Sequence, residues 1–135
     1  MIITEITDID NIAERILGNV PNLVALDMDD YNQIKSSSSF LNAVSVELPF
    51  YIETGIEEFK QAIKEFNVDG AHRVLLQICG VSSSLEVRNI RLKEMHSLLC
   101  VIESHFGNVE IIWGLSDRKS DDANGYEVNI IVGYN

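Results

Sequence analysis

The segment from Arg73 to Cys79 constrains the fold most, because it is apolar along almost its whole length and lies between two amphipathic helical patterns. An apolar run of this length is typical of a strand that is buried on both faces of a sheet. Ile56 to Phe66 carries apolar residues at helical spacing before it, and Ser84 to Phe106 repeats that spacing after it. This alternation of strand and helix favours an α/β domain.

Similar patterns extend the alternation along the chain. They predict three other strands, at Phe40–Tyr51, Val109–Trp113 and Tyr126–Val132, after two short N-terminal helices. We expect an α/β (α+β two-layer) fold with a mixed sheet of about four strands and an N-terminal helical segment. Right-handed crossovers place the two long helices on one face of the sheet, and the last two strands are predicted to form a hairpin.

Two local features of this pattern are specific enough to check. Gly18 is predicted to end the first helix in a left-handed conformation, and the run Leu23–Leu26 fits either a strand or a loop. The apolar stripe of the last helix is predicted to consist of Leu92, Met95, Leu99, Ile102 and Phe106.

Charge and cysteine content restrict the possible partners and the compartment. The chain has 135 residues, which suits one domain, and its 21 acidic and 10 basic side chains give a net charge of −11. Such a charge repels nucleic acids and anionic membranes and favours basic protein surfaces or cations. Cys79 and Cys100 lie in apolar surroundings typical of reduced core thiols. With no membrane-spanning segment and no signal peptide, we expect a cytoplasmic protein.

Asp27, Asp29 and Asp30 form the most distinctive cluster of functional groups in the sequence. Acidic residues at the start of a helix are stabilised by the exposed N–H groups of its first turn. Carboxylates held in this way can also meet a cation, a polarised water or a basic partner surface.

Five segments of the sequence form a characteristic series: Leu23–Tyr31 (LVALDMDDY), Gly70–Gly80 (GAHRVLLQICG), Leu85–Val87, Ile111–Gly114 (IIWG) and Val128–Gly133 (VNIIVG). In their order they resemble segments of the C-terminal domain of FtsZ, the bacterial, tubulin-related cell-division GTPase. The resemblance runs from about Ile9 to Val132.

The resemblance implies a role for the acidic cluster. In FtsZ a loop of Asn-x-Asp-x-x-Asp type brings its carboxylates to the nucleotide of the next subunit and helps to activate the attacking water. Asp27 and Asp30 match the two acidic positions, and they are the implied catalytic residues, acting in trans. Residues 1–35 would then hold the N-terminal helix and the activating loop, and residues 36–135 the C-terminal-like domain.

The sequence also departs from the family pattern. Ala25 stands where the family has Asn, and Ser36–Asn42 replaces a glycine-rich stretch. The GTP-binding half, with its glycine-rich phosphate loop, is absent from this sequence. We therefore expect no enzyme activity from this chain alone, no cofactor-binding residues and no metal ligands in it. GTP and Mg²⁺ would lie on the missing half or on a neighbouring subunit, and the partner would be a second copy or a GTPase domain.

Three other interpretations remain open at this point. The pair Asp27/Asp29 is similar to the Asp-x-Asp of magnesium-dependent phosphatases of the haloacid dehalogenase type, so a phosphoryl-transfer enzyme is the alternative function. The segment Gly80–Ser84 could bind an anion before a helix. His96 and Cys100 have the spacing of two zinc ligands, although a structural zinc site needs four.

Overall fold

The computed structural model describes residues 2–18, 22–24, 26–49, 52–82, 92–119 and 125–135. Helices and strands alternate through these ranges. In chain order they are α1 (Ile6–Leu17), β1 (Asn22–Val24), α2 (Met28–Ser36), β2 (Phe40–Leu48), α3 (Ile52–Lys64), β3 (Ala71–Ser82), α4 (Leu92–Phe106), β4 (Glu110–Lys119) and β5 (Gly125–Tyr134). None of the described helices is long and apolar enough to cross a bilayer.

The strands form one mixed sheet in the order β1-β4-β3-β5-β2. β3 and β4 are parallel, whereas β5 is antiparallel to both β3 and β2. The α/β class and the mixed sheet are confirmed. Of the run Leu23–Leu26, which fitted either a strand or a loop, Leu23 and Val24 belong to β1, a short edge strand. The predicted hairpin of the last two strands is wrong, because β3 lies between β4 and β5.

The two long helices cover one face of the sheet, as predicted. α3 and α4 follow β2 and β3 as crossover connections and pack against each other. Their apolar side chains meet those of alternate strand positions, because successive strand residues point to opposite faces. This core contains Phe59, Ile63, Phe66, Val74, Leu76, Ile78, Leu98, Ile102, Val128, Ile130 and Val132.

The N-terminal helices cover the opposite face and so add a third layer to the expected two. α1 and α2 pack over the other set of strand side chains. This second core contains Ile9, Ala13, Ile16, Leu17, Leu26, Tyr31, Ile34, Leu41, Ala43, Leu75 and Ile131. All ten residues of β5 are buried, because helices cover both of its faces and strands flank both of its edges. The division at residues 35 and 36 stays a prediction.

The ends and faces of the helices differ from the sequence pattern in two places. Gly18 has a right-handed φ of −71°, so the predicted left-handed stop is wrong there. Gly107 supplies such a stop after α4, with a φ of 77° and an N–H bond to the Glu103 carbonyl. On α4, Leu98 is fully buried, whereas Leu99 is only partly buried.

Candidate functional site

The acidic turn before α2, residues Asp27 to Asp30, is a reciprocal capping box. The Asp27 side chain accepts the backbone N–H of Asp30 at 3.2 Å, and the Asp30 side chain accepts the backbone N–H of Asp27 at 3.0 Å. Asp27 is extended (φ −137°, ψ 179°), as a residue just before a helix normally is. Each carboxylate therefore uses one oxygen to hold the start of the helix.

The residue before the turn is packed in the core, whereas the aspartates of the turn are accessible to solvent. Leu26, which precedes it, is buried, and its side chain lies against Gly114 of β4. A Cβ at Gly114 would stand 2.6 Å from Leu26 Cγ, so a glycine is needed there for the leucine to seat. Asp27 and Asp29 are exposed, and Asp30 is half-buried. The turn thus presents its carboxylates to solvent from a fixed backbone.

The basic side chains nearest in sequence are paired with other acids. Arg15 Nη1 lies 2.6 Å from Glu127 Oε1, and Lys35 Nζ lies 3.1 Å from both carboxylate oxygens of Asp10. The acidic turn is consequently neither buried in the core nor neutralised by Arg15 or Lys35. Its role in catalysis stays a prediction.

A partly buried cluster of Asp10, Tyr31 and Lys35 joins α1 to α2. The Tyr31 hydroxyl donates to Asp10 Oδ1 at 2.5 Å, on the carboxylate that Lys35 also contacts. The hydrogen bond from Tyr31 is the main cause that lowers the pKa of Asp10; burial opposes it and Lys35 supports it. Burial, and then the bond to Asp10, raises the pKa of Tyr31. The cluster fixes α2 against α1 and therefore fixes the position of the turn.

A row of polar side chains crosses four strands on the face of the sheet that α1 and α2 cover. Ser45 Oγ donates to Asn129 Oδ1 at 2.5 Å, and Asn129 Nδ2 donates to Gln77 Oε1 at 3.0 Å. Gln77 Nε2 then donates to Ser116 Oγ. Asn129, Gln77 and Ser116 are buried and are satisfied within the row, which ties β2, β5, β3 and β4 together. Sequence analysis missed it; its one visible signal was Gln77 inside an otherwise apolar run.

The other candidates do not form a composite site. His96 Nε2 lies 3.4 Å from Cys100 Sγ on α4, while Cys79 is buried in β3, and neither cysteine forms a disulfide bond. Among the described residues no group of three or more His, Cys, Asp or Glu side chains could hold a metal ion. Gly80 to Ser82 belong to β3; Ser83, Ser84, Leu85–Val87 and Ala25 lie outside the described residues.

The fold is similar to that of the C-terminal region of FtsZ. An FtsZ mutant from M. jannaschii matches with a TM-score of 0.50 and 14% identity, over 85% of this chain and 33% of that chain. CetZ1 from Haloferax volcanii, in a GDP-bound monomer, matches with a TM-score of 0.49 and 13% identity, over 81% and 33%. This chain therefore spans about a third of the length of these proteins.

The likeness is one of fold. E. coli HypE, a hydrogenase maturation protein, also matches, with a TM-score of 0.41 and 9% identity over 95% of this chain and 42% of that chain. No protein-family model matches the sequence, and no curated protein matches it.

Proposed function

We propose that this chain is a protein-interaction domain of the FtsZ type, which presents the acidic turn before α2 to a partner subunit. The observation that carries the proposal is the capping box: it fixes the backbone of Asp27 and Asp30 while the turn stays open to solvent. The partner is a second copy or a GTPase domain. GTP and Mg²⁺ belong to that partner, and this chain has no enzyme activity alone.

Electrostatics explain why the turn suits such a contact. Asp27, Asp29 and Asp30 place three negative charges within four residues at the positive end of α2, where the helix dipole stabilises them. A basic surface or a polarised water on a partner can use the carboxylate oxygens that do not cap the helix. On this proposal Asp27 and Asp30 act in trans, as the resemblance to FtsZ implies.

Asparagine variants separate the charge of the turn from its structural role. Asparagine caps helices about as well as aspartate, so Asp27→Asn with Asp30→Asn removes two charges and keeps acceptors for both backbone N–H groups. Sedimentation velocity is run on the chain alone and with the isolated GTP-binding domain of FtsZ. We expect the chain to associate either with itself or with the GTP-binding domain. In the double variant the affinity of that association should be about threefold to tenfold lower.

The control removes two charges elsewhere. Glu58 and Asp69 are exposed and lie outside the turn, so Glu58→Gln with Asp69→Asn should leave the affinity within about twofold. Equal losses in both double variants would show that only net charge matters. Absence of any association, or association insensitive to Asp27→Asn and Asp30→Asn, contradicts the proposal.

The same preparation tests the alternative, magnesium-dependent phosphoryl transfer by Asp27 and Asp29. A colorimetric phosphatase assay with Mg²⁺ should show no phosphate release from the chain alone. Release that disappears in Asp27→Asn would overturn the interaction proposal and establish an enzyme.

A further inference from the structure

A groove of about 620 Å³ lies between α3 and α4, on the face of the sheet opposite the acidic turn. Its apolar surface comes from Ile63, which is buried, and from Ile56 and Val101, which are partly buried. This volume falls within the range of about 300–1,000 Å³ that is typical of small-molecule sites. The groove offers an apolar body a place to bind at the surface.

Apart from one thiol, the titratable side chains that line the groove are all basic residues, although the protein as a whole is acidic. Lys60 and Lys64 line it from α3, and His96 and His105 line it from α4. The sequence has 21 acidic side chains, yet among the described residues that line this groove none is acidic. Glu57, the acid paired with Lys60 at 3.3 Å, is exposed and does not line the groove.

The remaining lining residues are polar side chains of α4, and the Ser97 hydroxyl among them already donates to the Lys93 carbonyl at 3.1 Å. Ser97, Ser104 and Cys100 lie along α4 between the two histidines. His105 Nε2 is held 2.8 Å from the Phe66 carbonyl, which fixes the imidazole at one end of the groove. His96, 3.4 Å from Cys100, is nearer the other end of α4.

We propose that this groove binds a small amphiphilic anion, with its apolar body on Ile56, Ile63 and Val101 and one carboxylate or phosphate group among the lysine and histidine side chains. A net charge of −11 repels a polyanion, so the ligand carries a single anionic group. This site is independent of the interaction surface on the other side of the sheet, and either can fail alone.

Calorimetric titration with octanoate, octyl phosphate and 1-octanol tests the proposal. The three probes share an apolar chain and differ in the head group. We expect octanoate or octyl phosphate to bind with a Kd below ~1 mM and octanol at least about tenfold more weakly. Comparison of the two anions distinguishes a carboxylate site from a phosphate site. Equal binding of octanol, or no binding of either anion at that concentration, overturns the proposal.

Two pairs of variants locate the binding. Lys64→Gln should weaken the tighter anion about threefold, whereas Lys93→Gln, an exposed charge on α4 outside the groove, should change it less than about twofold. Ser104→Trp fills the groove from its exposed rim and should abolish binding, whereas Glu103→Trp, its exposed neighbour, should not. Circular dichroism checks that each variant is folded. Anion binding that survives in folded Ser104→Trp places the ligand elsewhere and overturns the proposal.

Discussion

Arg15 on α1 contacts Glu127 on β5 across 2.6 Å, and this ion pair joins the N-terminal helix to the most buried strand of the sheet. The Glu127 side chain is only 11% exposed and that of Arg15 is 46% exposed, so solvent screens the pair in part. We expect Arg15→Gln to lower the free energy of unfolding by up to about 1 kcal/mol.

A double-mutant cycle with Glu127→Gln, measured by urea denaturation, isolates the coupling between these two side chains. The pair Glu57–Lys60 is the control: it lies on one helix with side chains 77% and 44% exposed, so its coupling should be about 0.3 kcal/mol. A coupling for Arg15–Glu127 no larger than this would mean that the contact does not hold α1 in place.

Because Asp27 is part of the capping box, the stability of the protein should depend on which residue replaces it. Asp27→Ala removes the acceptor for the Asp30 N–H and should cost about 1 kcal/mol of stability, whereas Asp27→Asn should cost little. Thermal denaturation of both variants checks this difference. Equal melting temperatures for Asp27→Ala and the parent would show that the cap is not formed in solution.

Leu98 and Leu99 are neighbours on α4 with very different burial. Leu98 is 0% exposed, so Leu98→Ala should lower stability by about 2–5 kcal/mol. Leu99 is only partly buried, and Leu99→Ala should cost clearly less. Chemical denaturation midpoints give the comparison, and the reverse order would mean that α4 is rotated about its axis.

Ionisation of Tyr31 should lower the stability of the fold at alkaline pH. Its pKa is raised in the folded state by burial and by its bond to Asp10, so the unfolded chain loses the phenolic proton first. The stabilisation is complete below the usual tyrosine pKa of 10.0 and is lost as pH rises above it. Burial raises the pKa of Tyr134 in the same direction.

We therefore expect the free energy of unfolding to fall as pH rises above about 10. In Tyr31→Phe the fall should be shallower, because a phenol with a raised pKa has been removed. Urea denaturation at several alkaline pH values measures the slope. A slope that does not change in Tyr31→Phe would show that Tyr31 ionises equally in both states.

Local patterns predicted the elements of this fold because each pattern lies within one element. The apolar run of β3 and the amphipathic spacing of α3 indicated their type directly. Strand pairing was harder: Tyr126 to Val132 follows β4 in sequence, yet its partners lie in β2 and β3. Which strand pairs with which depends on the packing of the crossover helices, and a pattern within one strand carries no information on that.

The candidate sites were likewise predictable only where their residues are close in sequence. The acidic turn was visible because its three aspartates are almost adjacent, although its capping geometry was not. The α3–α4 groove was not predicted, because Lys60, Lys64 and His105 each fit a solvated helix face. Only the side-by-side packing of two helices, distant in sequence, brings them together.

The place of β5 in the sheet has a consequence for synthesis on the ribosome. β2 pairs with β5 along its full length, from Phe40 with Tyr134 to Leu48 with Tyr126, and β3 also has β5 as one neighbour. Both strands are synthesised before β5. The nascent chain therefore carries two open strand edges until β5 has emerged, and open edges are where other chains add. The nascent chain is therefore most prone to aggregation until Gly125–Tyr134 inserts between β2 and β3.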